Sequence, residues 1–516
     1  MTPFKCTTLA AVLLGLASAA SAQQRLTLDD AVARALERNH DIRIERDVVA
    51  AADARARGAY GEYDVQLQVE LGFRHHRDPV TSLFSGAPEG KVAAAENGFL
   101  SNVALTKLFQ SGATATTFTS VERLSSNSVF TLFTPAYVTS LGVDLRQPLL
   151  RSRAIDPARA ALRITALDRE RSSATLQRQV LDTVAAVEQA YWDLVSARRQ
   201  LTIRRGSVQL AEHQRADTEV RVSARIIPAS DVAQPIAEVE RRRGDAFGTE
   251  ERVARAERAL KLLILDDLTD PWWSVELEPV DVPVPPIVRL DTARALADAG
   301  QYRPELAEAR ARVLSQDVRI SLARDTIKPS VDLVASYVSR GLAGERNSGV
   351  VPFVPGVSTM PESLDGGIGS SLNALGRNRF PDATVGVSVE IPLGRRYARG
   401  QLAAAEAERR QTVTALDQIR QRIAIDVHNA LTALETATSR IQAAHAGLRA
   451  AETQLRAEQD RFGVGATTNF FVLTRQTELA DAQLTEIDAQ TAYRRAVTEF
   501  GRATGTLLRD RSVQVE

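Results

Sequence analysis

The 516 residues carry 64 Lys+Arg against 64 Asp+Glu, are 44% hydrophobic, 25% charged and 5% aromatic, and contain one cysteine, Cys6. Balanced charge argues against a general nucleic-acid binder or a polybasic membrane-surface protein, and the hydrophobic share excludes a disordered chain. Length alone suggests two or three domains.

In chain order, residues 1–22 read first, as a secretory signal peptide. Lys5 gives a positive start, Leu9 to Ala20 a short apolar run, and Ala20-Ser21-Ala22 an A-x-A cleavage site. The run is too short for a membrane anchor, and Cys6 lies ahead of it, which does not support a lipidated cysteine. Cleavage before Gln23 leaves a mature chain without thiols. No later segment offers about 18 consecutive apolar residues. An exported chain of this kind is either soluble or enters a membrane as a β-barrel.

The rest reads as one unit written twice. Gly142-Val143-Asp144-Leu145-Arg146-Gln147-Pro148-Leu149 lines up with Gly386-Val387-Ser388-Val389-Glu390-Ile391-Pro392-Leu393. Val187, Ala190 and Leu194 match Val427, Ala430 and Leu434, and Asp64 to Leu67 match Ser330 to Leu333. Their shared order and spacing, about half the chain, make chance a poor explanation. The boundaries expected are a first repeat over 23–265, a Pro-rich extended linker over 266–289, a second repeat over 290–510 and a tail over 511–516.

Each repeat opens with a short helix pair, Leu28 to Tyr60 and Leu290 to Ile327. Alternating strands follow, Tyr63 to Arg74 and Tyr137 to Leu149, then Val331 to Val338 and Thr384 to Leu393. Runs rich in Gly, Pro, Ser and Asn, Asp78 to Asn97 and Gly341 to Pro381, read as long exposed loops. Phe99 to Phe109 and Ala113 to Leu124 also alternate around a Ser111-Gly112 turn, which makes six candidate strands: either an extra hairpin lies outside the membrane, the reading preferred, or the barrel is larger. Very long helices come next, Pro157 to Val222 and Ala398 to Phe462, each about 100 Å at 1.5 Å per residue. The second carries a heptad, Val427, Leu434, Ile441, Leu448 and Leu455, with Ala430, Ala437, Ala444 and Ala451 beside it. Turns at Ser223 to Ala229 and Gly463 to Thr467 lead into return helices capped by Ser230 or Asp231 and by Thr468 or Asn469. The return helices are too short to retrace the long ones, so each long helix is expected to lie beside two shorter ones stacked end to end.

A duplicated chain that joins amphipathic strands to long helical rods cannot close a useful barrel alone. Four strands from each of three copies would give a twelve-stranded one. The opening Leu26-Thr27-Leu28-Asp29-Asp30-Ala31-Val32, the segment Val187 to Leu194 with Ala190-Tyr191-Trp192-Asp193, and Phe462-Gly463-Val464-Gly465 resemble the TolC family of outer-membrane factors over essentially the whole mature chain. The fold class expected is mainly α with a membrane β-barrel portion: a duplicated unit of long coiled-coil helices and amphipathic strands, a trimeric twelve-stranded barrel continued by an α-helical periplasmic tunnel. The resemblance implies a passive homotrimeric conduit in outer-membrane lipid, opened by a periplasmic adaptor (a membrane fusion protein) and an inner-membrane pump of RND or ABC type. Drugs or metal ions are the expected cargo, and the exit duct of a type I protein secretion system is the alternative. A non-porous periplasmic coiled-coil scaffold is the reading from another class.

The resemblance also assigns sites. Adaptor contacts fall on Ala224, Arg225, Ile226, Ile227 and Pro228, and on Gly463, Val464, Gly465 and Ala466. Arg225 stands where a glycine is common. The periplasmic gate falls on Phe471 and Thr474, in place of the acidic ring of the best-known member. Phe471 would close the pore by dewetting, or Phe470 and Phe471 would pack between helices. The histidines form no HExxH pair, no GxxxxGK[ST] loop occurs, and His75-His76 on a strand point to opposite faces. No cofactor, metal, nucleic-acid partner or catalytic constellation is expected.

Overall fold

The structure, a computed structural model, describes residues 23–82, 84–282, 291–351 and 361–514. The expected signal peptide and Pro283, Pro285 and Pro286 of the linker lie outside the described residues. The first half runs β1 (Gln23–Leu26), α1 (Leu28–Arg38), α2 (His40–Gly58), β2 (Gln66–Pro79), β3 (Ala93–Leu108), β4 (Thr114–Ser126), β5 (Phe133–Pro148), α3 (Pro157–Ser223) and α4 (Ala233–Ile264). The second runs β6 (Glu276–Pro279), α5 (Thr292–Tyr302), α6 (Pro304–Thr326), β7 (Ser330–Arg346), α7 (Ile368–Gly376), β8 (Phe380–Glu390), α8 (Arg396–Gly463), α9 (Asn469–Thr504) and α10 (Leu507–Asp510). The long helices α3 and α8 have 67 and 68 residues. None of the described helices is long and apolar enough to cross a membrane.

Local chemistry sets the helix ends. Thr27 caps α1 by accepting from the Asp30 N–H, and Asp291 caps α5 by accepting from Ala293 and Arg294. Pro157 opens α3, and the Asp156 carboxylate accepts from the Arg159 N–H at 2.7 Å. Gly505, at φ 75°, ends α9 in the left-handed conformation that glycine adopts without strain.

Residues 1–49, 172–308 and 416–516 cluster as one compact unit and residues 50–171 and 309–415 as a second. In the first unit, β1 and β6 form a parallel pair. Tyr191 is fully buried there, and its hydroxyl donates to the Leu26 carbonyl at 3.0 Å and to the Asp281 carboxylate at 2.6 Å. Asp281 also accepts from the Leu28 N–H at 2.8 Å, so one carboxylate ties α1 to the linker strand and α3. Burial, reinforced by the bond to Asp281, pushes the Tyr191 pKa well up. The heptad positions Val187, Leu194, Val427 and Leu434 are buried, with Ala430 and Ala437 beside them.

Two joints in this unit repeat one design. Asn39 ends α1; its amide donates to the Leu263 carbonyl in the last turn of α4, and its oxygen accepts from the Asp41 and Ile42 N–H groups at the start of α2. Arg303 ends α5; its guanidinium donates to the Arg502 and Ala503 carbonyls at the end of α9 and pairs with Glu305 and Asp426. A helix end leaves four carbonyls without partners, and these buried side chains take up some of them. Lateral ion pairs hold the rods: Arg205–Glu250 joins α3 to α4, and Arg178–Glu308 joins α3 to α6.

The second unit holds a six-stranded antiparallel sheet in the order β2-β3-β4-β5-β7-β8. Arg169–Asp53 ties α3 to α2, and Arg409–Asp317 ties α8 to α6. Helix α7 lies on the sheet across β5 and β7. Ser371 and Ala374 are buried, and the Thr139 hydroxyl lies 2.9 Å from that of Ser371. Gly341 makes this approach possible, since a Cβ there would meet the Ser371 carbonyl oxygen at 2.0 Å.

Several expectations are corrected. The hairpin of Phe99 to Leu124 is not an appendage of the sheet: β3 and β4 sit inside it between β2 and β5, so the sheet of one chain has six strands. The loop expected over Gly341 to Pro381 contains the end of β7 and α7, and that over Asp78 to Asn97 shrinks because β2 and β3 pair as far as Pro79 and Ala93. The linker is structured at Pro271–Trp273, a 3-10 turn, and at β6. Trp272 packs against the core with the Arg34 guanidinium 3.5 Å from its ring centre. Ser230 and Asp231 do not cap α4; they lie inside a 3-10 turn, Ala229–Val232, that opens at Pro228. Thr468 occupies the N-cap position of α9, but its side chain makes no capping bond.

The joints carry a stability prediction. Asn39→Ala leaves buried N–H and C=O groups without partners and is expected to cost about 1–3 kcal/mol. Arg303→Ala should cost more, because it also strands Glu305 and Asp426. Urea-unfolding midpoints of the detergent-solubilised protein measure both.

Candidate functional site

Two turns connect the long helices to the return helices, and they are the same turn built twice. In the first, the N–H groups of Ala224, Arg225 and Ile226 donate to the carbonyls of Val220, Val222 and Arg221. In the second, Val464, Gly465 and Ala466 donate to Asp460, Phe462 and Arg461. The third bond in each set closes five residues back, and it requires a left-handed residue in the middle. Gly465 meets this at φ 74°, and Arg225 meets it at φ 57° with a full side chain. The two turns are adjacent: the Arg221 guanidinium stacks 4.5 Å from the Phe462 ring centre, and the Asn469 amide donates to Thr218 at 3.3 Å. Ile226 and Val464 are among the most exposed large apolar residues of the chain, at 70% and 82%.

The return helix α9 starts beside these turns. Phe470 and Phe471 meet edge to face at 5.5 Å, and both are half exposed. Neither is buried within this chain; Val472 and Leu473 take the interior positions instead. The Thr474 hydroxyl donates back to the Phe470 carbonyl at 2.8 Å, so it is already committed to its own helix. Sequence reasoning missed Arg242. Its side chain is buried between α3, α4 and α9, where it pairs with Glu238 at 2.7 Å and donates to the Ser207 carbonyl, the Leu473 carbonyl and the Thr477 hydroxyl. Burial pushes the Glu238 carboxyl up, but the Arg241 and Arg242 guanidiniums bonded to it outweigh that and hold it below the usual carboxylate range. The run Arg241-Arg242-Arg243 reads in sequence as a solvated face, and its neighbours Arg241 and Arg243 are indeed on the surface.

An open groove of about 580 Å³ runs between α8 and α9, lined by Ala443, Ala444, Gly447, Leu448, Ala482 and Ala489. His75 and His76 behave as adjacent strand residues do, one bonded to Asn97 and the other to Asp78. Among the described residues no group of His, Cys, Asp and Glu is placed to hold a metal ion.

The sheet of the second unit has two unlike faces. Leu67, Val69, Leu71 and Phe73 of β2 project from one face and are exposed, and so are Val385, Val387 and Val389 of β8. The alternate positions are Gln66, Gln68 and Glu70, and Thr384, Ser388 and Glu390. An apolar face of this extent without a partner marks an interaction with lipid or protein.

The comparisons with known proteins agree with this arrangement. Residues 295–506 match the model of the family described as outer membrane efflux protein. No curated protein sequence matches the chain. A membrane protein from Pseudomonas aeruginosa is 19% identical, with 93% of each chain covered and a TM-score of 0.64. VceC, an outer membrane protein from Vibrio cholerae, is 16% identical over 93% of this chain and 96% of its own, with a TM-score of 0.63. The MtrE outer membrane channel of Neisseria gonorrhoeae is 17% identical over 93% of this chain and 89% of its own, with a TM-score of 0.60. The likeness of fold extends over nearly the whole chain, and the resemblance to the TolC family drawn from the sequence holds.

The matched turns yield a paired prediction. A side chain in the left-handed region costs about 1 kcal/mol. Arg225→Gly is therefore expected to raise stability by about 0.5–1 kcal/mol, and Gly465→Ala to lower it by about 1 kcal/mol. Thermal unfolding of the two variants beside the parent protein checks both signs.

Proposed function

We propose that the chain is the outer-membrane conduit of a tripartite export system. Copies of its sheet form a barrel wall with the Leu67, Val69, Leu71, Phe73 face toward lipid and the Gln66, Gln68, Glu70 face toward water. The long helices continue that lumen into the periplasm as a tunnel, with three copies around the axis. The observation that carries the reading is the union in one chain of an unpartnered amphipathic sheet with two long helical hairpins ending in matched, exposed turns. An open sheet edge cannot sit in hydrocarbon, so the wall needs further copies; a scaffold without a pore leaves the apolar face unexplained.

The tip performs two tasks. Ala224 to Pro228 and Gly463 to Ala466 meet the hairpins of a periplasmic adaptor, with Ile226 and Val464 as apolar anchors. Phe471 from each copy narrows the passage, and its ring replaces charge with an apolar constriction that excludes water until the helices separate. Arg242 holds α9 against α3 and α4 just beyond that ring, so it resists the separation. Nothing in the conduit supplies energy. An inner-membrane pump drives small molecules, drugs or metal ions, through it.

Two measurements test the proposal. Purified protein in planar bilayers is expected to give stepwise ion currents, and their absence would sink the conduit reading. Phe471→Ala and Arg242→Ala should each raise the open probability, Phe471→Ala by removing the constriction and Arg242→Ala by loosening α9. If Phe471→Ala leaves it unchanged, the gate lies elsewhere.

A further inference from the structure

The hairpin of β3 and β4 separates this chain from the four-stranded plan that the sequence suggests, and its residues show where it lies. β3 pairs with β2 without interruption from Gln66↔Thr106 to Pro79↔Ala93, and β4 pairs with β5 from Thr114↔Arg146 to Leu124↔Ala136. The register carries both faces of the sheet across the hairpin. Leu67, Leu105, Thr117 and Val143 fall in one row, and Val69, Val103, Thr119 and Leu141 in another. The opposite face alternates Asn102, Thr116, Ser120 and Glu122 with Leu100, Ala104 and Phe118. On that face, the Thr106 and Thr116 hydroxyls lie 3.1 Å apart, and those of Ser120 and Ser140 lie 2.5 Å apart.

The face of the hairpin that continues the Leu67 and Val69 rows is bounded by charge. Lys107 shares its row with Ala115 at one end, and Arg123 shares its row with Phe99 at the other. Between those rows the face holds Ser101, Val103, Leu105, Thr117, Thr119 and Val121, and the Thr119 hydroxyl is satisfied by the Ser140 carbonyl at 2.9 Å. The stretch 99–107 spans about 27 Å at about 3.4 Å per residue, and its roughly nine residues are what a strand needs to cross hydrocarbon.

We propose that residues 93–126 are an integral, lipid-facing part of the barrel wall, which raises each copy's share of that wall from four strands to six. This rests on the conduit reading. β2 and β8 are the two edges and run in opposite directions, so β8 of one copy meets β2 of the next antiparallel, as in every pair within the sheet. Six strands closed on themselves would enclose less than the packed eight-stranded case; three copies of six close eighteen strands, the size at which barrels hold an open aqueous channel. The wall is then wider than a twelve-stranded one, by about half in diameter under linear scaling. Size selection falls to the helical tip.

The test uses the full chain reconstituted in phosphatidylcholine–phosphatidylglycerol vesicles. Spin labels go at Val103→Cys and Thr119→Cys on the face that continues the Leu67 and Val69 rows, and at Asn102→Cys on the other. Oxygen should relax the labels at 103 and 119 more than a water-soluble nickel chelate does, with the order reversed at 102. In parallel, Val69→Cys is combined in turn with Val385→Cys, Val387→Cys and Val389→Cys, and oxidation is expected to produce a covalent ladder that ends at three chains. A three-chain ladder with nickel dominant at 103 and 119 would overturn the hairpin assignment and leave the conduit intact. A ladder ending at another number overturns the eighteen-stranded wall. Absence of both cross-links and bilayer currents sinks the conduit reading itself.

Discussion

The fold depends on how helix ends are satisfied. A long helical path can be one helix with two ends or two helices with four, and each repeat holds one helix of 67 or 68 residues together with shorter ones. The second solution works because Asn39 and Arg303 sit at the breaks. Each is the C-cap residue of a short helix and donates to carbonyls of another helix that stops there. Asn39 does this with one amide whose oxygen also starts α2; Arg303 does it with a guanidinium that spreads charge to Glu305 and Asp426. The chemistry differs between the repeats while the geometry is kept, as expected when a duplicated unit diverges under a backbone constraint.

The same contrast recurs at the turns. One repeat meets the left-handed requirement with glycine and the other with arginine, and the hydrogen-bond pattern is the same. Arg225 therefore holds a strained conformation and a cation at an exposed site. Strain kept where glycine would serve points to a use for the side chain; on the proposed reading that use is to distinguish partners by charge.

Much of the architecture was legible because it is periodic. The heptad of α8, the proline-free length of α3 and the alternation of β2 and β8 are local signals, and the duplication gives each a second witness. What escaped was non-local. Alternation shows that 99–124 forms strands, but pairing order is decided by contacts between distant segments, and an inserted hairpin reads the same inside a sheet or beside it. Helix α7 hides in a run of Gly, Ser and Asn whose composition says loop, and only the sheet surface under Gly341 gives it a seat. Ser230 and Asp231 look like helix caps, yet Pro228 starts a 3-10 turn first. Arg242 is indistinguishable in sequence from the arginines on either side; burial alone sets it apart.

Helix α7 carries one more consequence. It rests on the apolar side of the sheet at the end of β7 farther from α6, with Ile368 and Leu372 turned outward and Arg377 and Arg379 following. On the proposed reading the wall there is two layers thick. With aromatics only 5% of the chain, a girdle of tyrosine and tryptophan is a weak depth marker. A nine-residue collar, greasy outside and flanked by guanidinium groups suited to lipid phosphates, would fix how far the protein sinks into its bilayer.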